Sequence, residues 1–570
     1  MPFVERKYLA LILLLAFVLI FFRLTRADII KDDAHYSFRS IQYLDYMASQ
    51  KQTTPLQWFG EIPAWSKLSF HDAPPLVFLV QHSFFKIFGV NAFAAKLPFA
   101  LAGLLSVALV FLITRQLYSA RTALLASLFL AVNNYFIWIS RVGYLESIAL
   151  LFILGAIYFL LKSRASVNYI FLFGLSLGLA FLSKYTSFYL IPFFLAYVFW
   201  QRRDLIGEHK YKFIPALLIT LVLFLPVIIY NVLMFKTKGH FDMQFAALFN
   251  QSVTDWPIIE RAAGAGFFGN FASIIHTLIN AFSLPVFLLF CLALFFLLYE
   301  EIRFRTGKHL VVLLNLLFLT TIFMLTGAAD RYLPLYAPFF AIAAAYPLGL
   351  RTFLGSQKIF VSSAIFVFIA HQLFFTVNTN HLYKPLGRPN IAYSTVRIEN
   401  FGFKQLDNYF EALLKGTKAD PWAMYPDFHN IPELVERGKK LNTDENLKPF
   451  SSLILYDRNI DWFGRMWVFE RRRLLKNYLL FSFDELFEQS QLNKNLFTDV
   501  GVNSAYIVLA AGKNKDDGSA IESFSDKAGN VESYLKSVGA SPEKIIYNPA
   551  GEEAFRVYLV DDYQKILEIL

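Results

Sequence analysis

The sequence contains very little cysteine and few charged residues. One cysteine, Cys291, lies inside an apolar run of a 570-residue chain, which excludes a disulfide framework and a cysteine-based metal site. Charged residues make up 17% of the chain, whereas 56% of the residues are hydrophobic and 18% are aromatic. This composition lies outside the usual range of soluble domains. It excludes a soluble enzyme, a disordered chain and a nucleic-acid-binding protein.

The charges are distributed unevenly along the chain. Residues 1–380 contain 29 Lys and Arg and 16 Asp and Glu, whereas residues 381–570 contain 24 and 27. The first part therefore has the composition of a membrane domain and the second that of a globular domain. We predict a transmembrane domain over residues 1–377, in which residues 25–92 form a first outer loop with interfacial helices. Residues 378–570 are predicted to form a soluble domain.

Eleven apolar runs approach the length of about 20 residues that a helix needs to cross a bilayer. They lie near residues 8–24, 93–114, 122–140, 146–161, 167–182, 185–200, 213–231, 272–299, 309–326, 331–349 and 359–377. The first run has no small-x-small cleavage site before Arg23, so we expect an uncleaved anchor. Segment 74–89 is short and carries Gln81, His82 and Lys86, which favours a helix in the outer interface.

The last third of the chain has a different pattern. Strand-like runs at Leu453–Tyr456, Tyr506–Ala510 and Phe555–Val560 are mixed with helical patterns such as Phe483–Gln489. This mixture predicts a small α/β domain. The fold class is therefore an α-helical polytopic membrane protein with a C-terminal extracytoplasmic α/β domain.

Basic residues in alternate loops predict the orientation. With the N-terminus in the cytoplasm, every inside loop is basic, as the positive-inside rule requires. An odd number of spans then places residues 378–570 outside, in a multi-pass protein of the plasma (inner) membrane. The inside-loop cations are Arg115, Arg121, Lys162, Arg164, Arg202, Arg203, Lys210, Lys212, Arg303, Arg305, Lys308, Arg351 and Lys358.

Two adjacent carboxylates, Asp32 and Asp33, lie near the start of the first outer loop. In a helix, Asp32 shares a face with His35, Tyr36 and Arg39. Such a pair of acids can supply a general base or hold a divalent metal. The alternative is that one of them only caps a helix that begins near Ala34.

Three more charges lie at the predicted outer ends of spans. Glu146 opens the fourth span, where an acid usually faces a cavity, although the helix dipole alone also favours it there. Lys184 and Arg331 oppose the positive-inside bias. A buried anion such as a lipid phosphate accounts for both cations, because arginine binds phosphate bidentately and lysine acts as a point charge. The alternative is snorkelling to the interface.

Six segments within residues 1–350 form an ordered series of motifs. They are Asp32-Asp33-Ala34-His35-Tyr36, Phe70 to Leu76 with its Pro-Pro-Leu, Phe88 to Gly103, Arg141 to Glu146, Gly178 to Lys184, and Arg331 to Tyr336. This series resembles the GT-C class of membrane glycosyltransferases, in the branch of the protein O-mannosyltransferases and the lipid A aminoarabinose transferases. Two positions depart from the family pattern, since Asp33 replaces the usual Glu and Ala73 replaces Lys or His.

The resemblance implies the reaction and the site. It implies inverting transfer of a hexosyl or pentosyl group from a polyprenyl-phosphate donor to a hydroxyl of a glycolipid, envelope glycan or protein at the outer face. The implied catalytic residues are Asp32 as the base, with Asp33 and Glu146. The implied contacts to donor phosphate or substrate are His35, Tyr36, His71, Asp72, Arg141, Lys184, Arg331 and Tyr332. A metal, if one is bound, would lie at Asp32 and Glu146, although the resembling branch does not generally require one.

Two other classes of protein use similar features. A lipid or solute transporter can use intramembrane charges for its substrate or for protons, but we find no internal duplication of the spans. A non-catalytic scaffold of the cell envelope is the other alternative, and it would leave Asp32 dispensable.

The predicted orientation can be tested by labelling. A Ser541→Cys substitution in a Cys291→Ala background should react with an impermeant thiol reagent in intact cells, because residue 541 is predicted to lie outside. Labelling that occurs only after lysis would contradict the predicted topology.

Overall fold

A computed structural model describes residues 3–46, 54–251, 253, 266–350, 358–419, 431–457, 460–492, 502, 504–511 and 525–570. The chain forms two compact units. The membrane unit comprises Met1–Thr25 and Trp65–Ile398, and the sheet unit comprises Arg26–Ala64 and Glu399–Leu570. The predicted fold class, a helical membrane protein with a small C-terminal sheet region, is confirmed. Arg351 lies outside the described residues.

Helices make up most of the described chain. In chain order they are α1 (Phe3–Phe21), α2 (Lys31–Gln42), α3 (Pro55–Phe59), α4 (Leu76–Phe88), α5 (Ala92–Leu117), α6 (Ala120–Ala131), α7 (Asn134–Ile139), α8 (Leu145–Lys162), α9 (Tyr169–Ser183), α10 (Leu190–Gln201), α11 (Lys210–Lys238), α12 (Met243–Leu248), α13 (Gly266–Phe282), α14 (Leu284–Phe304), α15 (Leu310–Thr326), α16 (Ala337–Gly349), α17 (Lys358–Asn380), α18 (Phe403–Leu413), α19 (Pro432–Asn442), α20 (Arg471–Lys476), α21 (Phe483–Leu492), α22 (Asp526–Ser537) and α23 (Gln564–Ile569).

Two of the predicted spans are divided, and there the sequence interpretation was wrong. Run 122–140 forms α6 and α7, because Asn133 Oδ1 accepts a hydrogen bond from the Phe136 amide at 2.9 Å and starts a new helix. Run 272–299 forms α13 and α14, which meet at Ser283 with a φ of 70°. Pro285 lies in the first turn of α14, where its missing N–H is tolerated, but it cannot continue a helix from before Ser283.

Six helices of the described residues are long and apolar enough to cross a membrane: Phe3–Arg26, Ala92–Leu117, Leu145–Lys162, Lys210–Lys238, Leu284–Phe304 and Ser362–Asn380. Shorter apolar helices include Leu76–Phe88, the segment predicted to lie in the interface. The number of spans and the outward C-terminus remain predictions.

Close packing holds the two helices, α8 and α9, that carry part of the candidate site. A Cβ atom on Gly174 of α9 would lie 2.1 Å from the Ala216 carbonyl oxygen of α11, so only glycine allows this approach. Thr220 Oγ1 donates to the Gly174 carbonyl at 2.9 Å. On the neighbouring helix α8, Ser147 Oγ donates to the Phe99 carbonyl of α5 at 3.0 Å. These contacts hold α9 against α11 and the start of α8 against α5.

The sheet unit contains a mixed sheet of five strands and a parallel pair. The strands are β1 (Thr417–Ala419), β2 (Lys448–Phe450), β3 (Ser452–Tyr456), β4 (Leu480–Ser482), β5 (Ser504–Ala510), β6 (Lys544–Tyr547) and β7 (Glu553–Val560). The large sheet has the order β4-β3-β5-β7-β6, in which β3 is parallel to β4 and β5, and β7 is antiparallel to β5 and β6. The three predicted strands and the predicted helix at 483–489 are confirmed.

The large sheet is buried on both faces, and one of its two cores includes α2. Leu455 of β3 belongs to one hydrophobic cluster and Ile454 to the other, as expected when alternate side chains point to opposite faces. Phe38 of α2 belongs to the first cluster and Ile30 to the second. Residues 26–46, which the sequence analysis assigned to the first outer loop of the transmembrane domain, therefore pack within the sheet unit.

Four arginines are buried beside this sheet, on the helical segment Asp461–Glu470 and on α20. Arg471 and Arg472 contact Asp407 at 2.5 and 2.9 Å. Arg465 and Arg473 contact Glu485 at 2.8 and 3.4 Å. Burial opposes ionisation of Glu485, but the charges of the two arginines outweigh it and lower the pKa of this carboxyl to about 2.

The lowered pKa of Glu485 predicts a pH-dependent stability. The ionised carboxylate stabilises the folded state above its ordinary pKa of 4.5, and this contribution is lost as the pH falls towards 2. In thermal unfolding of the full-length protein in detergent, Glu485→Gln should lower the midpoint at neutral pH and flatten its pH dependence between 4.5 and 2. Glu488→Gln, on an exposed position of α21, should keep the parental profile. A parental profile for Glu485→Gln would contradict the assignment.

Candidate active site

A group of four side chains in the membrane unit surrounds a buried ion pair. Glu146 lies in the first turn of α8, Lys184 directly follows α9, and Arg331 and Tyr332 lie in the 3₁₀ helix Asp330–Tyr336. Lys184 Nζ pairs with Glu146 Oε1. The two residues are 8% and 1% exposed, so neither charge is solvated by bulk water. We call Glu146, Lys184, Arg331 and Tyr332 the cation cluster.

Tyr332 brings the two cations of the cluster together. Lys184 Nζ lies 4.1 Å from the centroid of its ring, and the Arg331 guanidinium carbon lies 5.2 Å from it. Arg331 Nη2 also donates a hydrogen bond to the Tyr332 hydroxyl at 3.3 Å. Because the face of an aromatic ring attracts cations, one ring holds both. The four side chains carry two positive charges and one negative charge, which suits an anionic ligand.

The backbone around Lys184 explains its placement. Residue 184 has extended dihedral angles, φ −164° and ψ 138°, between the end of α9 and the 3₁₀ helix Tyr185–Tyr189. Its amide still donates to the Ala180 carbonyl at 3.2 Å. The lysine therefore leaves the helix where α9 stops and meets the start of α8.

Only one of the two carboxylate oxygens of Glu146 takes part in the ion pair. Its Oε2 atom is buried and accepts no hydrogen bond from the residues that the structure describes. A buried carboxylate oxygen in this condition is costly unless a ligand donates to it. The cluster thus combines cations for an anion with an acceptor for a hydroxyl group.

Tyr135 of α7 is bonded to the residue that precedes Arg331. Its hydroxyl donates to the Asp330 carbonyl, next to Arg331, and its ring stacks on Trp138 with 5.6 Å between centroids. Asp330 Oδ1 accepts from Thr277 Oγ1 at 3.4 Å. Tyr135 was not predicted as a site residue, because it lies in an apolar run with no pattern that distinguishes it from a lipid-facing tyrosine.

A second buried acid, Asp242, is bonded to Tyr185 and was also not predicted. Tyr185, the residue after Lys184, donates to Asp242 Oδ2 at 2.7 Å, and Asn231 Nδ2 donates to the same oxygen at 3.1 Å. Asp242 Oδ1 caps α12. Burial raises the pKa of Asp242 to about 6, against the opposing effect of these hydrogen bonds. Asp242 therefore anchors the chain beside Lys184, and no motif in the sequence marks it.

His71 and Asp72 belong to the same unit. His71 is fully buried, with its ring 5.9 Å from the ring of His240, and its carbonyl accepts from the Met243 amide at 2.8 Å. Asp72 is half-buried. The two residues therefore lie beside the segment around Asp242.

Arg141 has contacts that differ from those expected of a phosphate ligand. Its Nη1 atom donates to the carbonyl oxygens of Leu19, Ile20 and Phe22, at 3.0, 2.7 and 2.8 Å. These are carbonyls at the C-terminal end of α1, which lack partners within the helix. Arg141 thus stabilises this helix end, and we leave it out of the proposed phosphate site.

The predicted first acidic motif lies on α2 in the sheet unit. Helix α2 begins at Lys31, and its N-cap residue Ile30 provides no side-chain hydrogen bond. Asp32 and Asp33 therefore lie in the first turn, and the alternative that one of them is the N-cap is wrong. Asp33 is 2% exposed and Asp32 is half-buried.

The other members of this motif are arranged on the same helix. The rings of His35 and Tyr36 lie 5.4 Å apart. Arg39, which shares their predicted face, forms a fully buried ion pair with Asp45 at 2.6 Å. The roles of Asp32, Asp33, His35 and Tyr36 remain predictions.

The donor set does not fit a divalent metal. Within the described ranges, no group of three His, Cys, Asp or Glu side chains is close enough to hold one, and the recorded partner of Glu146 is a lysine. A divalent ion needs several oxygen ligands, so we derive no step through a metal.

Residues 72–230 match the family of dolichyl-phosphate-mannose-protein mannosyltransferases. The chain is also similar to YkcB of Bacillus subtilis (strain 168), a protein assigned as a mannosyltransferase, with 26% identity over 166 residues. This stretch covers 28% of the chain and 23% of YkcB, so the chain matches only about a quarter of that relative.

The structure is similar to two crystal structures of ArnT from Cupriavidus metallidurans. One is in the apo state and the other is bound to undecaprenyl phosphate. Each comparison gives a TM-score of 0.50 at 13% identity and covers 97% of both chains. At this identity the similarity concerns the fold. The resemblance to the GT-C class of membrane glycosyltransferases is thereby confirmed: the chain is similar in fold to ArnT and carries the mannosyltransferase family match at residues 72–230.

Proposed function

We propose that the protein is an integral-membrane inverting glycosyltransferase that moves a sugar from a polyprenyl-phosphate donor to an acceptor hydroxyl at the outer face. The observation that carries this proposal is the cation cluster, in which Lys184 and Arg331 share Tyr332 beside a buried acid. Both Glu146 and Lys184 lie inside the family match. The undecaprenyl phosphate bound by ArnT supports the same class of donor.

The donor phosphate is assigned to Lys184 and Arg331. When the bond between the sugar C1 and the phosphate oxygen breaks, its electron pair remains on the phosphate, and negative charge develops there. Preorganised cations in a site shielded from water stabilise such charge most strongly. A polyprenyl phosphate is already a good leaving group, so this step needs no strong general acid.

Glu146 has two roles in this scheme. Its Oε1 atom fixes Lys184 by the ion pair, and its Oε2 atom accepts a hydrogen bond from a hydroxyl of the bound sugar. The second role follows from the buried and unsatisfied oxygen, since burial without a donor costs about 1–3 kcal/mol.

The acceptor side of the reaction needs a base. As the acceptor oxygen bonds to C1, its proton passes to a carboxylate, for which the family resemblance assigns Asp32. The structure supports Asp32 by removing the capping alternative. A glycolipid, an envelope glycan and a protein remain the candidate acceptors, and a mannosyl or an aminopentosyl group the candidate sugars.

A transporter or flippase is the second candidate function. It would use the cation cluster to bind a lipid phosphate without breaking a bond. Release of the sugar from a labelled donor distinguishes the two functions, because a transporter leaves the donor intact.

Neutralising either cation should weaken donor binding. A hydrogen bond to a charged group contributes about 1.5–3 kcal/mol, so Lys184→Gln and Arg331→Gln should each raise the Kd for a polyprenyl-phosphate sugar by about tenfold or more. Lys236→Gln provides the control, because this lysine is exposed in the last turn of α11. The measurement is equilibrium binding of a labelled donor to purified protein. Parental affinity in both variants would contradict the assignment.

Removing the proposed base should stop transfer while the donor still binds. General-base catalysis contributes about 10²–10⁴-fold, so Asp32→Asn should lower the turnover by about a hundredfold or more at unchanged donor Kd. Glu61→Gln, an exposed acid of the same predicted loop, should transfer sugar at the parental rate. If Asp32→Asn does so too, the base is to be sought at Asp33, Asp72 or Glu146.

A further inference from the structure

A polar cavity lies beyond the last turn of α8, at the opposite end of this helix from Glu146. Its volume is about 380 Å³. Helix α8 has 18 residues, so its two ends are about 27 Å apart at 1.5 Å per residue. The cavity is therefore separate from the cation cluster. It is lined by Ser163, Arg164, Ala165, Ser166, Val167, Gln201, Arg202, Asp204 and His209.

Asp204, the acid among the lining residues, is paired with Arg202, which also lines the cavity. Arg202 is 4% exposed, and its Nε and Nη2 atoms donate to the two carboxylate oxygens of Asp204 at 2.9 and 2.8 Å. Its Nη1 atom donates to Ser163 Oγ. Arg202 and Asp204 thus form a rigid wall without net charge, and the net charge of the cavity comes from its other side chains.

Arg164 provides a positive charge, and Arg164 and His209 provide hydrogen-bond donors. Arg164 is exposed, and its recorded bonds, to the Tyr197 hydroxyl at 3.0 Å and to Gln201 Oε1 at 3.3 Å, both use Nη2. Its Nε and Nη1 atoms make no hydrogen bond within the ranges that the structure describes. His209 Nδ1 is buried and has no hydrogen-bond partner in the described part of the chain. A guanidinium fork and an imidazole nitrogen are suitable donors for phosphate oxygens.

The neighbouring aromatic residues indicate where this cavity lies relative to the membrane. Phe199 and Trp200, directly before the lining residue Gln201, are each 56% exposed. Exposed aromatic rings at a helix end mark the membrane–water interface, where lipid headgroups lie. Lys162 is the last residue of α8, and Lys210 and Lys212 lie in the first turn of α11. Basic pockets at this depth attract anionic lipids.

We propose that this cavity binds the phosphodiester of an anionic lipid headgroup, with Arg164 and His209 as its donors. The site lies at the other end of α8 from the cation cluster and serves no step of the proposed transfer. Its occupant would tie the loops after α8 and after α10 to the membrane surface.

The test uses the full-length protein in detergent and titrates it with dihexanoyl-phosphatidylglycerol. We expect saturable binding whose Kd rises about tenfold or more in Arg164→Gln, since one charged contact of about 1.5 kcal/mol or more is lost. Arg203→Gln is the matched control, because this exposed arginine lies in the same loop but contacts Phe199 and does not line the cavity. The Arg203→Gln variant should bind dihexanoyl-phosphatidylglycerol with parental affinity.

Three results would overturn the proposal. The first is equal binding of dihexanoyl-phosphatidylcholine, which would show that the anionic charge is not recognised. The second is equally tight binding of inorganic phosphate, lost in the same variant, which would make the ligand a free anion. The third is loss of phosphatidylglycerol binding in Lys184→Gln with none in Arg164→Gln, which would place the lipid at the cation cluster.

Discussion

The buried ion pair between Glu146 and Lys184 joins the start of α8 to the end of α9. Each charge alone would be costly away from water, and removal of one partner from such a pair typically costs about 3–5 kcal/mol. The start of α8 and the end of α9 must therefore stay together, and Ser147 in turn bonds the start of α8 to α5. Arg331 adds a second cation to the same place through Tyr332. The proposed function uses this second cation, together with Lys184, for an anionic ligand.

The proposed donor site has to solve the problem of binding a lipid phosphate at a membrane. The ligand arrives with its charge already in the membrane interface, and the protein has to replace the water that solvated it. In the proposed function Lys184 and Arg331 do this from two helix ends, and the ring of Tyr332 contacts both cations. Tyr135 and Asp242 hold the backbone next to each cation. Tyr135 is neutral, and Asp242 already accepts a hydrogen bond from Tyr185. Neither side chain therefore competes with Lys184 and Arg331 for a phosphate.

Part of this arrangement could be predicted from the sequence. Lys184 and Arg331 were identifiable because they oppose the positive-inside bias, and Glu146 because acids are rare at span ends. Their partners could not be identified, since Tyr135 and Asp242 differ from ordinary tyrosines and loop acids only by contacts to residues distant in sequence. The break at Ser283 was missed because the run is apolar on both sides, and the conformation of one residue divides it.

The sheet unit shows a second limit of sequence reasoning. The apolar face of α2 was compatible with an interfacial helix, yet Phe38 packs in a protein core, and hydrophobicity alone does not distinguish these two environments. The strands of this unit were predictable because their apolar runs are short and rich in β-formers. The burial of the arginines could not be predicted, since charged residues in a helix usually face solvent. It is made possible by the acids that contact Arg471 and Arg465.

The most direct test of the donor site is a structure of this protein with undecaprenyl phosphate bound. The account predicts that the phosphate oxygens lie about 3 Å from Lys184 Nζ and from the Arg331 guanidinium, at charge-assisted hydrogen-bond distance. Tyr332 should remain between the two cations, and Glu146 should stay beside Lys184. A phosphate bound elsewhere, with Lys184 still paired only with Glu146, would contradict the central claim.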